Sequence, residues 1–304
     1  MKLKRLRRRS GGGGVFDRRS QGPTGGGMSM PGLGGIPMGK GGLGIGGLIL
    51  IAILVFVVPR CLGSGGFGDL GGELDPFGGG GVVPPGGEEE VNPDDPTARF
   101  AESVLEDVQF AWNDIFDRAD LTYEDTSLVL FRDSTQSGCG PASSATGPFY
   151  CPADRLVYLD LSFFKELEQR FGAEGDFAQA YVIAHEVGHH VQTLLGTNAE
   201  VQRLSREDPE LANELSVRLE LQADCFAGVW GRSAQAAGIL EPGDVEEGLN
   251  AAAAIGDDRI DQMSGGRLRP EDYTHGTSEQ RAEWLRTGIQ VGNPDACDTF
   301  SSEI

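Results

Sequence analysis

The sequence predicts an α+β protein, a mainly helical domain with a small β-sheet, preceded by one transmembrane helix. Three observations carry that expectation. After Asp95 apolar residues recur chiefly at helical spacing, and only two short segments rich in apolar and β-branched residues interrupt them. Nearer the N-terminus lies one uncharged apolar run, Leu43 to Val58. Glycine-rich stretches flank that run on both sides and separate it from the rest.

Charge divides the 304-residue chain in the same way. Up to Lys40 there are nine basic residues and one acidic, Asp17, whereas from Gly41 onward 16 basic residues face 45 acidic ones. Such asymmetry is expected when a membrane separates two parts of a chain. Residues 1–42 therefore read as a basic, glycine-rich cytoplasmic arm, 43–59 as a single spanning helix bracketed by Lys40 and Arg60, and 60–91 as a Gly/Pro-rich linker. A cleaved signal peptide fits less well, because the run begins some forty residues in and no A-x-A-like site follows. This topology puts the domain, 92–304, in the cell envelope outside the cytoplasm. The domain's acidity argues against a nucleic-acid partner.

Within the domain, Asp95-Pro96 supplies an N-cap and a first-turn proline for a helix that aligns Phe100, Val104, Val108, Trp112 and Phe116. Strands are predicted at Ser127–Phe131 and Arg155–Leu161, then a short helix over Ser162–Phe171. A long, largely apolar helix should start at an Asp176 N-cap and stop at Gly196. Asp208-Pro209 caps the next, which runs toward Trp230; another covers Val245–Ile255. Thr277-Ser278-Glu279-Gln280 has the form of a capping box and opens a last helix. Outside the cytoplasm disulfides persist, and the expected pairs are Cys139 with Cys151 and Cys225 with Cys297. Four cysteines allow three pairings, all open at this point.

The chemistry resides in two segments, His185-Glu186-Val187-Gly188-His189 and Glu220-Leu221-Gln222-Ala223-Asp224. On a helix, positions i and i+4 share a face, so His185 and His189 can present two imidazoles to one metal while Glu186 points toward the same cleft. Glu220 is the natural third ligand, and Asp224 can accept the ring N–H of a ligating histidine. Two histidines, one glutamate and an open fourth position describe a hydrolytic zinc site. Unpartnered burial of His185 and Glu186 in such an apolar helix would be costly, which argues against a merely structural pair. His190 lies about 100° round the helix and reads as a packing or surface residue. Cys225 is a weaker alternative to Glu220 as a ligand. His275 either caps the last helix or hydrogen-bonds the oxyanion of a tetrahedral intermediate, and Arg281 either pairs with a carboxylate or lies on the surface.

IAHEVGHHVQ, LELQADCFAGVW, GPFYCPAD, VYLDLSFF, THGTSEQRAEWL and the closing CDTF resemble, in the same order from about Arg99 to the C-terminus, the bacterial neutral zinc metallopeptidase family. More distantly, the HExxH, E-x-Q-A-D-x-F-A and late T-H-x(5)-R motifs are similar to the CAAX-prenyl-protease class of gluzincins. That resemblance implies a zincin-like fold with Glu220 as third ligand, Asp224 steadying a histidine and His275 at the active site; Gly276 stands where that class usually has proline. The expected activity is peptide-bond hydrolysis of a peptide or protein substrate, with Glu186 as general base to a zinc-activated water. The strand at Val157–Asp160 is expected to receive an extended substrate by β-addition. Two other classes fit the residues less closely, an inactive zinc-binding scaffold and a chaperone-like membrane-tethered module.

Overall fold

The computed structural model describes residues 1–3, 13–20, 91–92 and 94–304. They fall in one compact unit that groups Met1–Thr24 with Glu88–Ile304. The apolar run Leu43–Val58 and nearly all of the linker 60–91 lie outside the described residues, among which no helix is long and apolar enough to cross a membrane.

Helix α1, Pro96–Arg118, opens as expected, with the Asp95 carboxylate accepting from the amides of Thr97 and Ala98. Its inner face buries Ala98, Ala101, Val104, Leu105, Val108, Trp112 and Phe116. Strand β1 is Val15–Asp17, β2 Ser127–Phe131, β3 Ser134–Ser137, β4 Gly140–Ser143, β5 Phe149–Cys151 and β6 Leu156–Asp160. Four of them form a sheet in the order β1-β2-β6-β5; β1, β2 and β6 are parallel neighbours, and β5 runs antiparallel to β6. The twofold alternation of a strand sorts its side chains. Leu128, Leu130, Val157 and Leu159 face the helices, whereas Val129, Phe131, Leu156 and Tyr158 join Cys151 in a smaller cluster on the other face. The β3-β4 hairpin is fastened to β5 by the expected Cys139–Cys151 disulfide.

After the short α2, Ser162–Gln169, comes the central helix α3, Asp176–Leu194, with Phe177, Tyr181, Ala184, Val187 and Val191 buried. Its N-cap is Gly175, a correction to the expected Asp176 cap: the Asp176 carboxylate instead takes the Met1 ammonium at 2.7 Å, and Glu247 accepts from the Phe177 amide. Helix α4, Thr197–Glu207, is absent from the sequence expectations. It buries only Asn198 and Val201 and carries the Arg203 ion pairs to Glu200 and Glu207, so it offers no apolar period to read. Then follow α5, Ala212–Ala236; α6, Asp244–Ala254; α7, Asp257–Ser264; and α8, Ser278–Val291, opened by the expected Thr277 capping box. The Cys225–Cys297 disulfide joins α5 to the C-terminal tail, also as expected.

The described parts of the N-terminal arm differ from expectation. β1 completes one edge of the sheet, Arg19 bridges Asp17 and Asp95, and the Met1 ammonium sits near Asp244 as well as Asp176. Residues 1–3 and 13–20 thus pack against the domain instead of standing apart from it as an arm. The physical reason is the open edge of β2, which Val15–Asp17 satisfies with backbone hydrogen bonds. The β-addition expectation is corrected too: β6 is paired by β2 along its length and by β5 from Leu156 to Tyr158, so β5 is the edge on that side.

Helices α5 and α8 meet through glycines. A Cβ on Gly228 would stand 2.2 Å from the Leu285 carbonyl oxygen, and one on Gly288 would stand 2.0 Å from that of Cys225. Backbone atoms cannot swing aside as side chains do, so a methyl group there must push two helices apart. Gly228→Ala is expected to cost about 2–3 kcal/mol, at the upper end of overpacking costs. Thermal unfolding should show Tm lowered by about 4–12 °C.

Candidate metal centre

The long helices α3 and α5 cross where Gly188 meets Ala223; a Cβ at Gly188 would lie 3.0 Å from the Ala223 carbonyl oxygen. That closeness brings Glu220 against the two histidines. His185 Nε2 lies 3.1 Å from Glu220 Oε2, and His189 Nε2 lies 3.4 Å from Glu220 Oε1. A tetrahedral ion with bonds of 2.0–2.1 Å separates its ligand atoms by about 3.3 Å, so the donor spacing fits zinc. His185, His189 and Glu220 offer ligand atoms that all lie within 4.8 Å of one another. Glu186, one residue on from His185, is buried at 8 % exposure and lies near enough to both histidines and Glu220 to feel their charges.

Behind the donors is a buried charge network. Asp224 Oδ1 accepts from His185 Nδ1 at 2.7 Å and from the Tyr181 hydroxyl at 2.5 Å. Arg281 donates through Nε to Asp224 Oδ2 at 2.8 Å and through Nη2 to Oδ1 at 3.0 Å and to Tyr181 Oη at 3.2 Å. Of the two readings of Arg281, the carboxylate pair holds: the residue is only 3 % exposed. Of the two histidines Asp224 could have steadied, it contacts His185. His189 turns its Nδ1 instead to Gln192 Oε1, 2.8 Å away.

Charge within the cluster follows from burial and neighbours. Burial alone would raise the Asp224 carboxyl, but Arg281 and His185 outweigh it and hold the group below its ordinary range. Glu220 is held well below, with His189 and His185 opposing burial. Burial works against a charged His185 ring, yet Asp224 and Glu220 raise it to about 10 among the protein groups alone. Glu186 moves the other way: burial raises its carboxyl, and the two histidines offset only part of that rise.

His275 stands in the loop before α8, near enough to Glu220 for each to shift the other. Its Nδ1 lies 3.1 Å from Asp257 Oδ1, while Asp257 Oδ2 accepts the amides of Thr274, His275 and Gly276 at 2.7, 2.6 and 3.1 Å. Burial would lower the ring, but Asp257 and Glu220 raise it. Gly276 has φ of +90°, a conformation closed to proline, which is the physical content of that departure from the distant class.

The structure separates two residues from the site. Cys225 is disulfide-bonded, and its alternative role as a ligand falls away. His190 is buried between Tyr123 and Tyr150, donating from Nε2 to the Glu124 carbonyl and accepting the Tyr150 hydroxyl at Nδ1. Sequence reasoning missed Asp257 and Gln192. Asp257 lies 18 residues before the ring that it holds, and Gln192, although one turn beyond His189 on the same helix, stands outside the HExxH pattern.

The chain matches the family described as Putative neutral zinc metallopeptidase over residues 4–300. It is 47 % identical over 294 residues to the uncharacterized protein YpfJ of Escherichia coli strain K12, covering 95 % of this chain and 96 % of that one. The uncharacterized protein Rv2575 of Mycobacterium tuberculosis strain H37Rv is 47 % identical over 191 residues, 59 % of this chain and 64 % of its own. The uncharacterized protein Mb2605 of Mycobacterium bovis aligns to the same extent. No solved structure matches the chain.

Two outcomes follow from the buried groups. Arg281→Met strands the Asp224 carboxylate in a dry site and should cost about 3–5 kcal/mol in urea unfolding. His190 is lowered by burial from 6.5 to about 4, so between those values the unfolded chain binds a proton that the folded chain refuses. Its contribution is fully present above pH 6.5 and is lost as pH falls toward 4, by up to about 3 kcal/mol. His190→Gln should flatten that part of the stability–pH curve, which urea midpoints at stepped pH will reveal.

Proposed function

The chain belongs to the putative neutral zinc metallopeptidase family, with zinc as its cofactor, and from that premise we propose that it hydrolyses peptide bonds at the cluster His185, His189, Glu220 and Glu186. The observation that carries the proposal is the bridging of both histidine Nε2 atoms by the single carboxylate of Glu220, with Glu186 on the same helical turn. His185, His189 and Glu220 would hold the metal, and Asp224 and Gln192 hold the two rings with their Nε2 atoms toward Glu220. Zinc, when bound, supplies Lewis acidity that eases ionisation of a water and polarises a carbonyl.

Glu186 takes the proton of the attacking water and returns it to the departing amine. Its burial favours the protonated form between those two events. His275, turned by Asp257 and with its protonated form favoured by Asp257 and Glu220, donates to the oxygen that gains negative charge. Asp257 fastens the loop by accepting three successive backbone amides, so the donor is in position before substrate arrives. An extended substrate has an edge to pair with at β5, which packs on the helix carrying the histidines.

Attachment to a membrane is supported by the apolar run Leu43–Val58, and a compartment outside the cytoplasm by the two disulfides. The docking of β1 supports an arrangement with the N-terminal strand and the domain on one side.

Glu186→Gln should retain stoichiometric zinc and lose cleavage of an unfolded protein such as casein by about 100-fold or more, since it removes only the proton carrier. Metal analysis and a peptide-release assay measure the two quantities. Undiminished cleavage would overturn the role of Glu186, and stoichiometric zinc with no cleavage by the parent would favour the scaffold reading.

A further inference from the structure

We propose that Gln192 is a positioning residue that ties two ligands of the metal centre to each other. It selects which nitrogen of His189 is free and holds the backbone at Glu220 beside that ring. The inference rests on the reading of His185, His189 and Glu220 as the centre and adds to it a residue with no place in the HExxH pattern.

Gln192 lies two positions beyond His190 on α3 and is fully buried, at 0 % exposure. Its Nε2 donates to the carbonyl of Leu219 at 2.7 Å and to Gln222 Oε1 at 3.1 Å. A backbone carbonyl only accepts, so the amide end facing Leu219 must be the nitrogen. The opposite end, the oxygen, therefore faces His189 Nδ1 at 2.8 Å, and an oxygen there requires Nδ1 to carry the proton. With Nδ1 protonated, a neutral His189 leaves its lone pair on Nε2, the atom 3.4 Å from Glu220 Oε1. One carbonyl thus dictates the amide, and the amide dictates the tautomer. That carbonyl belongs to the residue immediately before Glu220 in the sequence. The same side chain accordingly couples a ligand on α3 to a ligand on α5 without touching the ligating atoms.

The relay does not end there. Gln222 Nε2 donates to the carbonyl of Cys297, the tail residue disulfide-bonded to Cys225 on α5. Gln222 Oε1 is left to accept from Gln192, so each amide in the series has one consistent orientation. The two histidines are also held differently: His185 by the Asp224 carboxylate, His189 by an uncharged amide. Glu186, Glu220 and Asp224 already crowd the centre with carboxyl groups, and an amide orients the second ring without adding another charge.

The test uses the full chain in two states. In the metal-free parent, selective 15N labelling of the four histidines should show His189 as the Nδ1–H tautomer. Finding it mainly as Nε2–H would overturn the proposal, and this measurement needs no variant. Gln192→Met, similar in length but without polar atoms, should lose that preference and bind zinc about 10–100-fold more weakly in chelator competition. Its metal-free unfolding midpoint separates this from a general loss of structure. Zinc affinity within twofold of the parent, or an unchanged His189 spectrum, would overturn the proposal. Gln222→Met leaves the contact with His189 and should lose less than about threefold; a loss equal to that of Gln192→Met would overturn the local assignment. Failure of the parent itself to bind zinc counts against the metal-centre reading, whereas the tautomer in the metal-free chain reports, without zinc, whether Gln192 Oε1 at 2.8 Å prevails over Glu220 Oε1 at 3.4 Å.

Discussion

Asp224 is the charge around which the domain must be built. A carboxylate with no exposed surface is tolerable only with several donors, and this one receives Arg281, His185 and Tyr181. Those donors come from α3 and α8, and the acceptor comes from α5. Satisfying one buried group therefore fixes the mutual placement of three helices, and the two histidines and Glu220 are carried into position with them. The network is consequently both a structural and a chemical requirement, because the bond that satisfies His185 Nδ1 is also the one that leaves its other nitrogen facing Glu220.

Close helix approach makes these short bonds possible. Gly188 admits the α5 backbone to α3, and Gly228 with Gly288 does the same for α5 and α8. Larger side chains at these crossings would meet backbone atoms of the facing helix and shift the helices that carry Asp224 and its donors. Disulfides act at the margins of this arrangement, Cys225–Cys297 pinning the tail to α5 and Cys139–Cys151 pinning the hairpin to the sheet. The interior thus depends on polar satisfaction and backbone proximity together with apolar burial.

Much of this was legible in the residues. The period of Phe177, Tyr181, Ala184 and Val187 marked α3 as buried, and Ser127–Phe131 was read as the strand that the structure contains, end to end. The metal donors were legible because HExxH and E-x-x-x-D place their chemistry at helical intervals. What escaped falls into two kinds. Helices α4 and α7 and strands β1, β3, β4 and β5 are short or polar and owe their conformation to neighbours that a local pattern does not contain. Asp257 and Gln192 act across the fold, Asp257 on a loop 18 residues away and Gln192 on the carbonyl of Leu219, 27 residues away; chain separation conceals such partners. Arg281 stood between these cases: the sequence left it either paired with a carboxylate or on the surface, and the packing of α8 on α5 pairs it with Asp224.

The docking of Val15–Asp17 on β2 has a bearing on how the protein can be cut. A shortened chain beginning near Asn92, where composition alone would place the boundary, removes the partner of β2 and leaves Leu128 to Leu130 as a bare strand edge. It also removes Arg19 from Asp95, the residue that caps α1. Such a fragment would expose an adhesive strand and carry an acidic group no longer neutralised by its partner, the profile of a protein that aggregates on expression. The family match, which begins at residue 4, runs through the same segment, so a fragment that keeps the sheet whole carries its own first strand, whether through the native connection or through a grafted linker.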